Sequence, residues 1–453
     1  MQLQDPCIEL GQQMETPNQP IEIYRGGLKV EFKKVSVRGK GRIFVRWLPL
    51  PEMWFEILFC DECGLGYPKN LTSVEADNLL LQTGPNQSVN WLEINGIPEH
   101  SVTHKTQLFP SKGVFRMMHN SIKDPNILGG NITFPQHDEK CNSVIFYLVN
   151  FKNFGDLKLA EKAWILSMDA INFTKHPDDD SNILDGRMGK AGGFIITHTC
   201  TLERSDKSVF PLSDAVNYLN KIYFFTSFIS GTWCGPILAR GIVDMRTIWQ
   251  DGVPESLTPW TYHHGCVKGW MGGIEDLFKN FMIFWEEREK QEAMKSLVQW
   301  YVEANLNAGG TEGSIILVHS ALELLANLHE YNERPAYCKI RRLIKPLLIR
   351  SELSSDLMRI YDDNKYQLRT KGKPDTWDGP SIFSEMRNAI VHAKDKKNFR
   401  PSLHEVPTES REKVLDFGLL YLELCILKML GYNGQYLNRV DLKYEDVPWI
   451  SKE

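Results

Sequence analysis

Apolar residues first recur at every second position. From Ile21 onward the runs IEIY, GLKVEFKKVSV, GRIFVRWL and MWFEILFC are short, rich in Val, Ile, Phe and Trp, and several alternate apolar with polar residues. A two-residue period places successive side chains on opposite faces of a strand. Gly26-Gly27, the RGKGR run at 38–42 and the LPLPE run at 48–52 interrupt these segments and read as breaks between strands. Further strands are expected at SVNWLEI, KGVFRMM, NSVIFYLVNF and GGFIITHTCTLER. Residues 21–205 therefore read as a β-rich domain, a sandwich or folded-over sheet, behind a tail of residues 1–20.

Residues 206–272 are mixed. PLSDAVNYLNKIYFFTSFISG predicts a buried helix with Ser213 as N-cap and Gly231 at its end. CGPILARGIVDMRTIWQDG reads as strands, and a Trp- and Gly-rich connector, SLTPWTYHHGCVKGWMGG, follows. From about Gly273 the period becomes helical. IEDLFKNFMIFWEEREKQEAMKSLVQWYVEANLN predicts one long helix interrupted in its charged middle. Gly309-Gly310 end it, and Thr311 is placed to cap the next helix, over SIILVHSALELLANLHEY. CKIRRLIKPLLIR is basic and amphipathic. EKVLDFGLLYLELCILKML is apolar on nearly every face, which predicts a central helix closed by Gly431. The expected class is α+β: a β-rich N-terminal domain, then an all-α helical bundle over residues 273–453.

Composition supports a packed protein: 42% of the 453 residues are hydrophobic and 24% charged. The N-terminus lacks a basic start and an apolar run, and no stretch nears the roughly 20 apolar residues of a membrane span. The nine scattered cysteines suit reduced thiols. A cytoplasmic protein without a membrane partner is expected. Charge changes the picture further. The net charge is −5, yet residues 339–400 carry 15 Lys/Arg against 8 Asp/Glu, a local +7 that leaves −12 elsewhere. Such asymmetry points to an anionic partner late in the chain.

Most candidate chemistry dissolves on inspection. Cys60-x-x-Cys63 is half a zinc site, but His100 and His104 lie too far along for its second half. His263, His264 and Cys266 read as structural, and the HPDDDSN run at 176–182 lacks the ligand spacing and glycine of a calcium loop. No phosphate loop or dinucleotide fingerprint occurs, so neither a metal nor a cofactor is expected.

What remains is SEMRNAIVHAKD, residues 384–395. Arg387 offers a fixed cation with a planar donor fork suited to phosphate. His392 can take or give a proton near neutrality. Asn388 can orient the imidazole or a ribose hydroxyl. Together these suffice for metal-free RNA cleavage, in which the 2′-hydroxyl attacks its own phosphodiester. On a straight helix Asn388 and His392 share a face, whereas Arg387 and His392 stand about 140° apart. Ile382, Met386, Ala389, Ile390 and Ala393 form the apolar face.

On these residues, the helical region resembles a HEPN domain, a bundle found in ribonucleases of toxin, antiviral and abortive-infection systems. That family's signature is an Arg, a polar residue directly after it, and a His a turn or so further on, as in Arg387, Asn388 and His392. The resemblance implies a metal-independent endoribonuclease (a hydrolase) whose catalytic residues are those three. It also implies a homodimer in which two motifs meet, so that the Arg of one helix serves beside the His of another. A β-rich region ahead of such a domain is similar to abortive-infection proteins of the ApeA type, which implies a sensor or regulator responding to an unknown trigger. Lys394, Lys396, Lys397 and Arg400 are expected to hold RNA phosphates. Glu323, in a His319–Glu323–Asn327 stripe at helical spacing, is expected to orient the motif. The alternative expectation is a non-catalytic module binding RNA, nucleotide or a partner protein.

Overall fold

A computed structural model of the chain describes residues 16–32, 35–48, 51–58, 91–95, 101–102, 106–111, 114–119, 140–152, 154–171, 188–244, 246–250, 256–261, 265–269, 272–331, 336–344, 379–391 and 408–450. The chain divides into two compact units: Met1–Tyr223 with Cys234–Tyr262, and Phe224–Trp233 with His263–Glu453. Together they make an α+β protein.

The first unit contains two large antiparallel sheets. The seven-stranded sheet runs β5-β4-β1-β2-β3-β7-β6. Its strands are β1 (Ile21–Phe32), β2 (Val35–Arg46), β3 (Glu52–Leu58), β4 (Trp91–Asn95), β5 (Ser101–Val102), β6 (Thr106–Ser111) and β7 (Val114–His119). Here the glycine runs do not separate strands. Gly26 pairs with Gly41 and Leu28 with Gly39, so the two runs face one another within a single long β1–β2 ribbon. Glycines set opposite each other remove the cross-strand side chains there, which lets two 12-residue strands twist and bend without breaking their ladder.

After β8 (Lys140–Cys141), which pairs with β13 (Phe210–Pro211), the second sheet runs β10-β11-β12-β9-β14-β15. It comprises β9 (Ser143–Val149), β10 (Leu157–Glu161), β11 (Trp164–Ala170), β12 (Ile196–Arg204), β14 (Pro236–Val243) and β15 (Arg246–Gln250). This sheet draws strands from both sides of Ser205. Leu166, Met168, Cys200 and Leu202 are all fully buried, and β11 shows the alternating burial of a half-buried strand. Helix α1 (Leu212–Ser230) closes at Gly231, whose φ of 67° lies in the left-handed region. Ser213 falls inside its first turn.

The second unit holds α2 (Ile274–Trp285), α3 (Arg288–Asn305), α4 (Gly310–Leu328), α5 (Ala336–Ile344), α6 (Gly379–Val391), α7 (Thr408–Met429) and a hairpin of β16 (Gln435–Asn438) and β17 (Lys443–Asp446). The long helical pattern breaks at Glu287, an extended residue. Thr311 does not cap α4. That helix already begins at Gly310, and Thr311 is buried within its first turn. Helix α7 is central: it packs against α3, α4, α5 and α6, with an unbroken buried run from Phe417 to Leu427. Gly418 permits one close approach, because a Cβ there would stand 2.3 Å from the Phe383 ring of α6.

One carboxylate lies within this buried run of α7. Glu423 is fully buried and accepts a bond from Tyr301 Oη at 2.7 Å. It is also paired through both oxygens with Arg439, in the turn of the hairpin. Arg439 in turn donates to Asn305 Oδ1 at 2.9 Å. A buried ion pair survives when its charges and remaining lone pairs are satisfied, and removing one partner strands the other. Arg439→Ala is therefore expected to cost about 3–5 kcal/mol, measured by urea unfolding of the second unit. The double variant Glu423→Leu/Arg439→Met should recover most of that loss.

Candidate functional site

Helix α6 carries the sequence GPSIFSEMRNAIV. Ile382, Phe383, Met386 and Ala389 are buried, so the predicted apolar stripe is core as far as Ala389, while Ile390 is half-buried. The polar residues are not a wet outer face. Ser384 is only 3% exposed, and Arg387 and Asn388 are half-buried. Ser384, Arg387 and Asn388 stand at i, i+3 and i+4 and share a side of the helix.

Arg387 Nη1 donates to Asn388 Oδ1 at 3.2 Å, so the amide orients the guanidinium. Arg387 Nε is buried without an acceptor, and Ser384 Oγ likewise has no partner. Among the described residues no carboxylate pairs with Arg387. A half-buried cation held only by a neutral amide keeps its charge available to an anion.

Helix α4 supplies the other wall. His319 is 1% exposed, and its ring stacks on Phe383 with centroids 5.9 Å apart and planes 24° apart. Its Nδ1 lies 3.6 Å from Glu323 Oε2, just beyond hydrogen-bond distance, and neither ring nitrogen has a hydrogen-bond partner. Burial, and next the Arg387 charge, push the His319 pKa down to about 4, so the ring is neutral at pH 7. The expected His319–Glu323–Asn327 stripe thus runs from core to surface: His319 is buried, Glu323 half-buried, and Asn327 exposed and accepting a bond from Lys339 at 3.0 Å.

Glu323 is thus brought to His319, and His319 to the electrostatic neighbourhood of Arg387. The sequence reading gave no role to His319 itself or to Ser384. Their signals were present, as His319 stands at i, i+4 from Glu323 and Ser384 at i, i+3 from Arg387, but helical spacing alone cannot say which neighbour is buried. His392, Lys394, Lys396, Lys397 and Arg400 lie outside the described residues, as do Cys60, Cys63, His100, His104, the 176–182 run, His263 and His264. Cys266 is buried, and its thiol is pushed well above its ordinary pKa, first by burial and then by the Glu423 charge. Among the described residues no cluster of three His, Cys, Asp or Glu side chains could hold a metal, and no helix is long and apolar enough to cross a membrane.

Family models match two stretches of the chain: the YopA central domain over residues 136–263 and the YopA C-terminal domain over residues 287–449. The chain is similar to the SPbeta prophage-derived uncharacterized protein YopA of Bacillus subtilis (strain 168), at 23% identity over 459 residues covering 96% of each protein. No solved structure matches it. Residues His319, Glu323, Ser384, Arg387, Asn388 and His392 all fall within the C-terminal match.

The buried imidazole carries a pH signature. Its folded pKa of about 4 lies below the ordinary 6.5, so between those values the unfolded chain binds the proton more readily. Stability then rises with pH through that window and is lost as pH falls through it, by about 3 kcal/mol at the acid limit. In denaturant titrations at pH 7 and pH 4.5, His319→Asn is expected to lose less stability on acidification than the wild type.

Proposed function

We propose that the second unit is a HEPN-type, metal-independent endoribonuclease acting as a homodimer in the cytoplasm. The observation that supports it is the half-buried Arg387 guanidinium, oriented by Asn388 and free of any carboxylate among the described residues. A phosphodiester is the anion such a planar fork holds well.

In this reading Arg387 and the amide of Asn388 fix the scissile phosphate. His392 takes the proton of the ribose 2′-hydroxyl, and the 2′-oxygen attacks phosphorus. The bond from phosphorus to the 5′-oxygen breaks, and that oxygen leaves with a proton from an imidazolium, contributed by the same or the second motif. The products are a 2′,3′-cyclic phosphate and a 5′-hydroxyl. Arg387 neutralises the charge that gathers on the phosphoryl oxygens. Two motifs meeting across a dimer remove the difficulty that the sequence spacing of Arg387 and His392 would set them about 140° apart on a straight helix. Lys394, Lys396, Lys397 and Arg400 bind flanking phosphates, which makes affinity fall with salt. The first unit senses a trigger and restrains the nuclease, and the prophage origin of the Bacillus subtilis relative favours work in a defence or toxin-type response.

Purified full-length protein is expected to cleave RNA in EDTA, and His392→Ala and Arg387→Ala are each expected to reduce the rate by at least about 100-fold. Gel assays of end-labelled RNA measure this. Salt-sensitive RNA binding without any cleaved product would instead identify a non-catalytic binding module.

A further inference from the structure

Two side chains on facing helices carry buried polar atoms that lack partners and are complementary in kind. Arg387 Nε–H on α6 is a donor with no acceptor. His319 on α4 has two ring nitrogens without hydrogen bonds, and Nδ1 is the one turned toward Glu323 Oε2 at 3.6 Å. A neutral imidazole carries one N–H and one lone pair. The carboxylate favours the N–H on Nδ1, which leaves Nε2 as the acceptor. A buried unsatisfied polar group of this kind calls for an explanation, and here one stands on each of two packed helices.

We propose that His319 is a positioning residue for Arg387: with its proton held on Nδ1 by Glu323, it offers Nε2 to the Arg387 Nε–H and so fixes the guanidinium plane when a phosphodiester engages the fork. The inference rests on the ribonuclease reading of Arg387 and names the group that aims it. Three features support it. Phe383 stacks on the His319 ring and fixes its tilt, and Phe383 itself is held where only Gly418 leaves room. Among the described residues, Arg387 of α6 acts electrostatically on the ring and Glu323 stands beside it on its own helix. The Nη1 edge of Arg387 is already occupied by Asn388, so a bond at Nε leaves Nη2 and the outer side of the fork for the ligand. The imidazole must stay neutral to accept this bond, and its buried site keeps it so at pH 7.

Two experiments on the full chain test this. In RNA cleavage at pH 7, His319→Leu is expected to lower kcat about 10- to 100-fold with KM changed less than about twofold. His319→Gln, whose amide oxygen can accept from Nε–H, is expected to regain most of that rate. Wild-type kcat in His319→Leu would overturn the proposal, as would a Gln variant no better than Leu when both melt at the wild-type temperature. The second readout needs no activity: nitrogen-15 NMR of histidine-labelled wild-type protein, with the His319 signal assigned by its loss in His319→Gln. A neutral ring protonated on Nδ1 at pH 7 supports the proposal, and a ring protonated on Nε2 or on both nitrogens overturns it. A wild-type protein that cuts no RNA would overturn the ribonuclease reading alone, because the NMR result still decides the state of His319.

Discussion

The second unit is organised around one buried charge. Glu423 lies in the stretch of α7 from Phe417 to Leu427 that is buried on every side, and its carboxylate is tolerated only because Arg439 and Tyr301 satisfy it. A lone buried carboxylate would cost several kcal/mol. The pairing therefore dictates that the terminal hairpin folds back until Arg439 reaches α7, and that α3 presents Tyr301 and Asn305 to the same point. Helices α3 and α7 and the terminal hairpin are registered by one side chain. An apolar residue at 423 could let α7 slide or rotate among its neighbours with little penalty, since nearly all its faces are greasy.

That register reaches the candidate site through packing. With α7 fixed, Gly418 faces α6 and admits the Phe383 ring, which in turn presses on His319. Along the packed helices α4 and α6 a buried neutral imidazole, a half-buried guanidinium and a buried hydroxyl each carry a polar atom without a partner. Ordinary cores avoid such groups or pair them fully. Their retention here contrasts with the paired carboxylate of Glu423 on α7.

Periodicity made the helices of the second unit legible, down to the break in the charged middle of the first long pattern and the closure at Gly431. It misled at the glycines of β1 and β2, because residues that usually end strands here face each other across one ribbon. It also passed over β10 and β11, whose pairing depends on distant neighbours rather than on strong local signals. At the site, a helix carrying Arg387 and Asn388 beside an apolar face was readable from residue types. What was not readable is which polar groups are buried. His319 is covered by Phe383 of α6, which itself sits against Gly418 of α7, and no single helix encodes that. The terminal hairpin was missed for a related reason: its residues are held by Arg439 pairing into α7 and α3 rather than by an apolar strand pattern of their own.

The central claim is that Arg387 and His392 work on a phosphodiester whose own 2′-hydroxyl is the nucleophile. The most direct measurement is cleavage of a short RNA carrying a single 2′-deoxy ribose at the position mapped as the cut. The account predicts that this one linkage becomes resistant while neighbouring sites are cut as before. Cleavage continuing at the deoxy linkage would contradict it, because the nucleophile would then have to come from elsewhere.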